Sequence, residues 1–216
     1  MKYRNVIFDV DGTLFNTRRG LIRAIGYALD SMGVEYESPE WLATLVGPPL
    51  KHTMMNRFGM NEEDSIRAVD YLRECMREGA CLEADEFPGM RDLLSELQAS
   101  GARLFVATSK PQPFTELLVE HFGYGGFFDE LVGSFMNHTR LTKSELIAHC
   151  IEANGLDREQ TVMVGDRAVD VIGANAQGIA SIGVGYGEAV QGEWEETPPT
   201  HYVVDLNDLG KLLLEG

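Results

Sequence analysis

The 216 residues contain no basic run, no long apolar stretch, no low-complexity tract and no paired-cysteine spacing. Lys and Arg number 18 against 34 Asp and Glu, a formal charge of −16. Such a chain has no broad positive surface for nucleic acid or for an anionic membrane. No apolar segment approaches the roughly 18 residues of a membrane-spanning helix. The opening segment MKYRNVIFDVDG has neither the apolar run nor the small-residue cleavage site of a secretory leader. The three cysteines, Cys75, Cys81 and Cys150, include no CxxC pair. Disulfide scaffolding and a zinc site are therefore not expected, and buried free thiols in a reducing cytoplasm are. What remains is the composition of an ordinary globular protein, for which a monomer or homodimer with a small-molecule partner is the expectation.

Short apolar, β-branched runs recur along the chain: Asn5–Val10, Arg103–Ala107, Thr161–Val164, Ala180–Val184 and Tyr202–Val204. Most are continuously apolar, as suits parallel strands covered on both faces. Helical patterns lie between them, at Gly89–Ser100, Pro113–Phe122, Thr142–Asn154, Ala168–Gln177 and Leu206–Leu214. The alternation predicts a doubly wound, mainly parallel, Rossmann-like α/β sheet. Residues 15–85 break it, with helical periodicity and no convincing strand: Thr17–Met32, a start at Ser38-Pro39, Leu50–Phe58 and Glu62–Gly79. The domains expected are a sheet domain of 1–14 with 86–216, and an inserted α-helical domain of 15–85. Ligands of such sheets bind beyond the carboxyl ends of the strands, so an insertion after the first strand is a candidate lid.

The chemistry begins at Val6-Ile7-Phe8-Asp9-Val10-Asp11-Gly12-Thr13-Leu14. Residues i and i+2 of a strand share a side, so Asp9 and Asp11 project together from its end. Two carboxylates about 4 Å apart repel by roughly 4 kcal/mol at an effective dielectric near 20. A divalent cation with an anionic substrate is the natural compensation. Gly12 permits a sharp turn, and Thr13 can hydrogen-bond a nearby carboxylate.

Three further strings sit at strand ends or helix starts. Thr108-Ser109-Lys110 ends a strand, where a hydroxyl and backbone N–H groups can hold phosphate. Thr142-Lys143-Ser144-Glu145 is a capping box that sets Lys143 in a first helical turn, against the helix dipole. Val164-Gly165-Asp166-Arg167-Ala168-Val169-Asp170 follows a strand, with Asp166 at its end and Asp170 one turn on. Each string alone has an ordinary reading as a cap or a solvated side chain. Together they bring carboxylates, a hydroxyl and a lysine to one rim, a hard oxygen site suited to Mg²⁺ beside groups suited to phosphate.

The segments DVDGTL, Thr108, Lys143 and GDRAVD resemble, in order, the four motifs of the haloacid dehalogenase-like phosphohydrolase superfamily. The helical insertion resembles that superfamily's small α-helical cap. Gly47-Pro48-Pro49-Leu50 is similar to a loop of its phosphoglycolate phosphatase-like and 5′-nucleotidase-like members. The resemblance implies a phosphatase in which Asp9 attacks phosphorus, forming an aspartyl-phosphate, and Asp11 is the general acid and base. It implies Mg²⁺ held by the Asp9 carboxylate, the Asp11 backbone carbonyl and Asp166. Thr108, Ser109 and Lys143 would bind the phosphoryl oxygens, and Asp170 would orient the metal site, with Gly12, Thr13 and Gly165 in support. Arg18, Lys51 and His52 are the cap residues it offers as substrate contacts. Phosphoglycolate, a nucleoside monophosphate and a sugar phosphate stay open as substrates. A phosphomutase would use the same residues, and a non-catalytic phosphometabolite sensor is the reading from a different class.

Overall fold

The computed structural model describes residues 2–47, 50–137, 142–190 and 192–215. The chain divides into two compact units, residues 1–16 with 86–216, and residues 17–85. Pro48 and Pro49 lie outside the described residues, so the Gly47–Leu50 loop is not described as a whole.

The first unit is built on strands β1 (Asn5–Phe8), β4 (Arg103–Pro111), β5 (Glu130–Ser134), β6 (Thr161–Gly165), β7 (Ala180–Val184) and β8 (His201–Val203). They form one six-stranded sheet in the order β5-β4-β1-β6-β7-β8, every pair parallel. The order makes it doubly wound: the chain runs outward from β1 through β4 to β5, then returns to β6 beside β1 and runs the other way. Direction therefore reverses between β1 and β6, the place where such sheets leave a crevice at their carboxyl ends.

Helices cover the sheet. They are α5 (Met90–Ala99), α6 (Gln112–His121), α7 (Lys143–Asn154), α8 (Ala168–Gln177) and α9 (Leu206–Glu215). On one face Ile7, Phe105, Ala107 and Met163 pack with Leu146, Ile147, Cys150 and Ile151 of α7 and Ala174 of α8. Their strand neighbours Val6, Phe8, Leu104, Val106, Val162 and Val164 point to the other face and are buried too. Burial on both sides explains why these strands read as unbroken apolar runs rather than alternating ones.

The second unit holds α1 (Arg18–Ser31), α2 (Pro39–Leu42), α3 (Leu50–Phe58) and α4 (Glu62–Arg77) around Ile25, Leu29, Leu42, Leu45, Met54 and Ala68. Its helix starts follow local chemistry. The Ser38 hydroxyl accepts the Trp41 N–H at 3.2 Å, and the Asn61 side chain accepts the Asp64 N–H at 2.8 Å. Two-residue strands, β2 (Phe15–Asn16) and β3 (Asp85–Glu86), form a separate two-stranded sheet. Among the described residues no helix is long and apolar enough to cross a membrane. Cys75, Cys81 and Cys150 are free and buried.

Several sequence expectations need correction, the first being that the opening strand ends at Phe8 rather than Val10. The strand β5 has no counterpart among them, because Glu130 and Gly133 interrupt its apolar pattern. Strand β4 runs on to Pro111 rather than ending at Ala107, through an irregularity in its ladder with β5. The last strand is His201–Val203, and Val204 is exposed beyond it.

Candidate active site

Asp9 follows the last residue of β1, and its N–H donates to the Val164 carbonyl of β6 at 2.9 Å, closing the crevice where the winding reverses. The chain then turns tightly: the N–H groups of Thr13, Leu14 and Phe15 all approach the Val10 carbonyl, and the Gly12 N–H reaches the Phe15 carbonyl at 2.9 Å. Gly12 has φ +75°, and a Cβ there would stand 2.1 Å from Asp166 Oδ2. Only glycine fits, for conformation and for space. Asp166 follows β6, and Gly165 before it lies against the Asp170 side chain.

Asp9, Asp166 and Asp170 are all buried, and each offers an oxygen within 4.8 Å of the others'. One cation of the protein stands among them: Lys143 Nζ lies 2.8 Å from Asp9 Oδ1, 2.9 Å from Asp170 Oδ1 and 3.0 Å from the Ala107 carbonyl oxygen, to which it donates. The capping box expected at Thr142 and Glu145 forms and fixes the start of α7, so that Lys143, its first residue, turns inward. This explains a lysine placed against the helix dipole: two anions outweigh that small cost. Burial works against its charge, but Asp170 and Asp9 raise its pKa nonetheless.

Lys143 does not balance the site. Burial first, then the charges of Asp170 and Asp9, push Asp166 up to about 8. Burial also raises Asp170, against the pull of Lys143. Each pair of ionised carboxylates at this spacing repels by about 3 kcal/mol at an effective dielectric near 20. Asp9 Oδ1 and Asp170 Oδ1 are buried without a hydrogen bond of good geometry, the Lys143 charge contacts aside. Three crowded carboxylates with unfilled acceptor capacity fit a hard divalent cation such as Mg²⁺.

The other expected residues fall as follows. Thr13 is buried, and its hydroxyl donates to Asp166 Oδ1 at 3.3 Å, so the carboxylate it serves is not a neighbour in sequence. Thr108 is buried at the end of the regular part of β4, its oxygen accepting the Lys110 N–H at 3.2 Å. Ser109 is half-buried beside it. The Asp11 side chain is outside the carboxylate triad and pairs with Lys110, Nζ to Oδ1 2.9 Å. Asp166 does not cap α8. Arg167 is the cap residue, its N–H donating to Asp170 Oδ2 at 3.1 Å, which frees Asp166 to face the crevice. Arg18, Lys51 and His52 lie in the helical unit: Arg18 opens α1 and is exposed, Lys51 pairs with Glu62 at 2.7 Å, and His52 is exposed on α3.

Sequence reasoning missed a second layer supplied by the connection from β7 to β8. The Glu188 N–H donates to Asp166 Oδ2 at 2.6 Å, and the Tyr186 hydroxyl donates to the Thr13 carbonyl at 3.2 Å. Gly187 between them lies against the turn at Gly12: a Cβ there would be 2.3 Å from the Gly12 oxygen. Further along, Glu193 accepts the Ala168 N–H at 2.9 Å and pairs with the Arg167 guanidinium at 3.0 Å, capping α8 from outside. The one local signal was a Gly-Tyr-Gly string directly after a strand.

A model of the haloacid dehalogenase-like hydrolase family matches residues 6–184. The chain belongs to that family. A 5′-nucleotidase of Pseudomonas aeruginosa is 38% identical to this hydrolase over 99% of the chain and 96% of the relative. The tyrosine-protein kinase PtkA of Mycobacterium tuberculosis is 35% identical over 84% of the chain and 62% of that protein. Among solved structures, a predicted phosphatase from Clostridium acetobutylicum superposes with a TM-score of 0.93 at 34% identity, over 100% of both chains. Family and phosphatase relatives together make this chain a phosphoric monoester hydrolase.

Proposed function

We propose that the protein is a Mg²⁺-dependent phosphomonoesterase that works through an aspartyl-phosphate on Asp9. The observation that carries the reading is the convergence of Asp9, Asp166 and Asp170 on one point at the switch between β1 and β6, with Lys143 against two of them. An Asp9 oxygen bonds to the substrate phosphorus as the bond from phosphorus to the leaving oxygen breaks, and Asp11 gives that oxygen a proton, releasing an alcohol. Water then attacks the same phosphorus, Asp11 takes its proton, and the bond to Asp9 breaks, releasing inorganic phosphate. Asp9, Asp166, Asp170 and the Asp11 backbone carbonyl are the groups to hold the cation. When bound, the ion supplies charge neutralisation that lets an anionic nucleophile meet an anionic phosphate. The Thr108 hydroxyl, the Ser109 region and the Lys143 ammonium stabilise the transferring phosphoryl oxygens.

Among substrate classes, 5′-nucleoside monophosphates come first, because a relative 38% identical over 99% of the chain carries the 5′-nucleotidase name. Phosphoglycolate comes next, because a relative 29% identical over 95% of the chain carries the phosphoglycolate phosphatase name. We assign the helical unit the role of a cap that selects among them. The kinase-named relative favours a second reading, in which a hydroxyl rather than water takes the phosphoryl group. Released inorganic phosphate, measured against phosphate transferred to an added alcohol, separates the two. The decisive variant is Asp9→Asn: loss of about 10⁴-fold or more in turnover of an aryl phosphate is expected. Near-normal turnover would reject the nucleophile.

A further inference from the structure

Lys110 has no part in the roles just assigned, yet its side chain is 2% exposed and its ammonium lies 2.9 Å from Asp11 Oδ1. A lysine taken out of water at that cost is placed by something. The cause lies in the strand. The β4–β5 ladder is regular as far as Ala107 opposite Val132 and resumes with Pro111 opposite Ser134. Four steps on β4 thus face two on β5, and the extra residues bulge out, re-aiming the side chains after Ala107. The bulge is pinned from several sides. The Lys110 N–H donates to Thr108 Oγ1 at 3.2 Å, the Thr115 hydroxyl donates to the Lys110 carbonyl at 3.4 Å, and the Ser134 hydroxyl to the Ser109 carbonyl at 2.7 Å. Gly133 makes the room: a Cβ there would lie 2.8 Å from the Lys110 carbonyl oxygen.

The two buried lysines thereby sort three carboxylates. Lys143 takes Asp9 and Asp170, in the cation set, and Lys110 takes Asp11, which stays out of it. We propose that Lys110 is a positioning residue for Asp11, holding the carboxylate at the angle from which it exchanges protons with the leaving oxygen and with water. The assignment rests on the acid–base role proposed for Asp11. Its alternative is an ion pair that merely neutralises a buried lysine.

A double-mutant cycle on the full chain with Mg²⁺ decides between them, using Lys110→Met, Asp11→Asn and the pair, on an aryl phosphate and on an alkyl phosphate. A misplaced acid hurts the poor alkoxide leaving group most. Lys110→Met is expected to lower kcat on the alkyl substrate by about 10- to 100-fold and on the aryl substrate by less, with KM within about threefold. In the Asp11→Asn background the same change is expected to matter less than about threefold, and Lys110→Arg to recover part of the loss. Lys110→Gln keeps a donor without the charge and carries the same cycle if the Met variant does not fold. Full additivity in the Asp11→Asn background, or equal losses on both substrates, overturns the positioning role alone. Normal turnover by Asp11→Asn on both substrates overturns the acid–base reading itself, and the inference with it.

Discussion

The two ends of the sheet handle buried polar groups in opposite ways. At the amino ends of the strands the buried Asn5 amide donates to the Thr161 hydroxyl at 3.1 Å, which donates to the Asp157 carbonyl at 2.6 Å, and at the surface Arg103 pairs with Asp129 at 2.7 Å. At the carboxyl ends three buried carboxylates face one another with a single lysine between two of them. Asn5 and Asp9, at the two ends of β1, are about equally buried, at 7% and 8% exposed. Satisfied polar groups hold a fold together, whereas crowded like charges cost it stability and are kept where a ligand will repay them. The comparison predicts that changes at one end cost activity and at the other end cost stability.

The sharpest test is removal of divalent ions. Chelation is expected to lower turnover by about 10²- to 10⁴-fold, the several kcal/mol that metal stabilisation of transferring charge is worth. The same ion should stabilise the fold, since it binds only the folded site. At a hundred times its Kd the gain is about 2.7 kcal/mol, which in a chain of this length raises Tm by about 5–10 °C. A melt insensitive to Mg²⁺, with undiminished activity in chelator, would break the contrast between the two ends.

Asp166→Asn separates the two currencies at one residue. The amide keeps an oxygen to accept the Glu188 N–H and removes one charge from the triad. Activity should fall by about 10²-fold or more. Stability without metal should rise by about 1–3 kcal/mol as repulsion is relieved, and the Mg²⁺-dependent rise in Tm should largely vanish. Loss of both activity and metal-free stability would mean that Asp166 is an ordinary structural carboxylate.

The carboxyl end was largely legible in the sequence because its parts are local strings at strand ends. Asp9 and Asp166 each close an apolar run, and the Thr142–Glu145 box announces the helix that carries Lys143. The common direction expected of Asp9 and Asp11 does not form, because β1 ends at Phe8 and Asp11 turns to Lys110. The alternation of strands and helices gave the doubly wound sheet for the same reason, since both faces are buried. What escaped was whatever depends on contacts distant in sequence or on broken patterns. Strand β5 has only Val132, Gly133 and Ser134 buried, and its glycine serves the β4 bulge rather than a strand pattern. Lys110 belonged to a visible string, but its partner lies 99 residues away. The Tyr186–Glu188 segment meets Thr13 and Asp166 across the fold, and no local spacing announces that.

That missed segment supplies the next test. A methyl group at Gly187 would stand 2.3 Å from the Gly12 oxygen and 2.4 Å from the Asp166 Cβ, both in the site. Gly187→Ala must therefore push the connection away from the turn or shift the turn itself. A loss of about 10- to 100-fold in kcat/KM is expected, as small misplacements of reacting groups cost that much. The accompanying stability cost is about 1–3 kcal/mol, typical of overpacking. Wild-type activity in this variant would show that the β7–β8 connection only covers the site.

The smallest effect on activity belongs to the opposite end. Asn5→Ala removes a buried donor whose partner, the Thr161 hydroxyl, still donates to the Asp157 carbonyl. One hydrogen bond is lost and a small void opens, at a cost of about 1–2 kcal/mol, or a fall in Tm of about 2–8 °C. Asn5 opens β1 and Asp9 follows its last residue, but Asp9 is tied to the Val164 carbonyl at its own end, so the site geometry should survive. Turnover and the response to Mg²⁺ should both stay within twofold of the parent while the melt drops. A parallel fall in kcat at temperatures well below the melt would show instead that the sheet passes strain from one end to the other, and that the two ends are not independent.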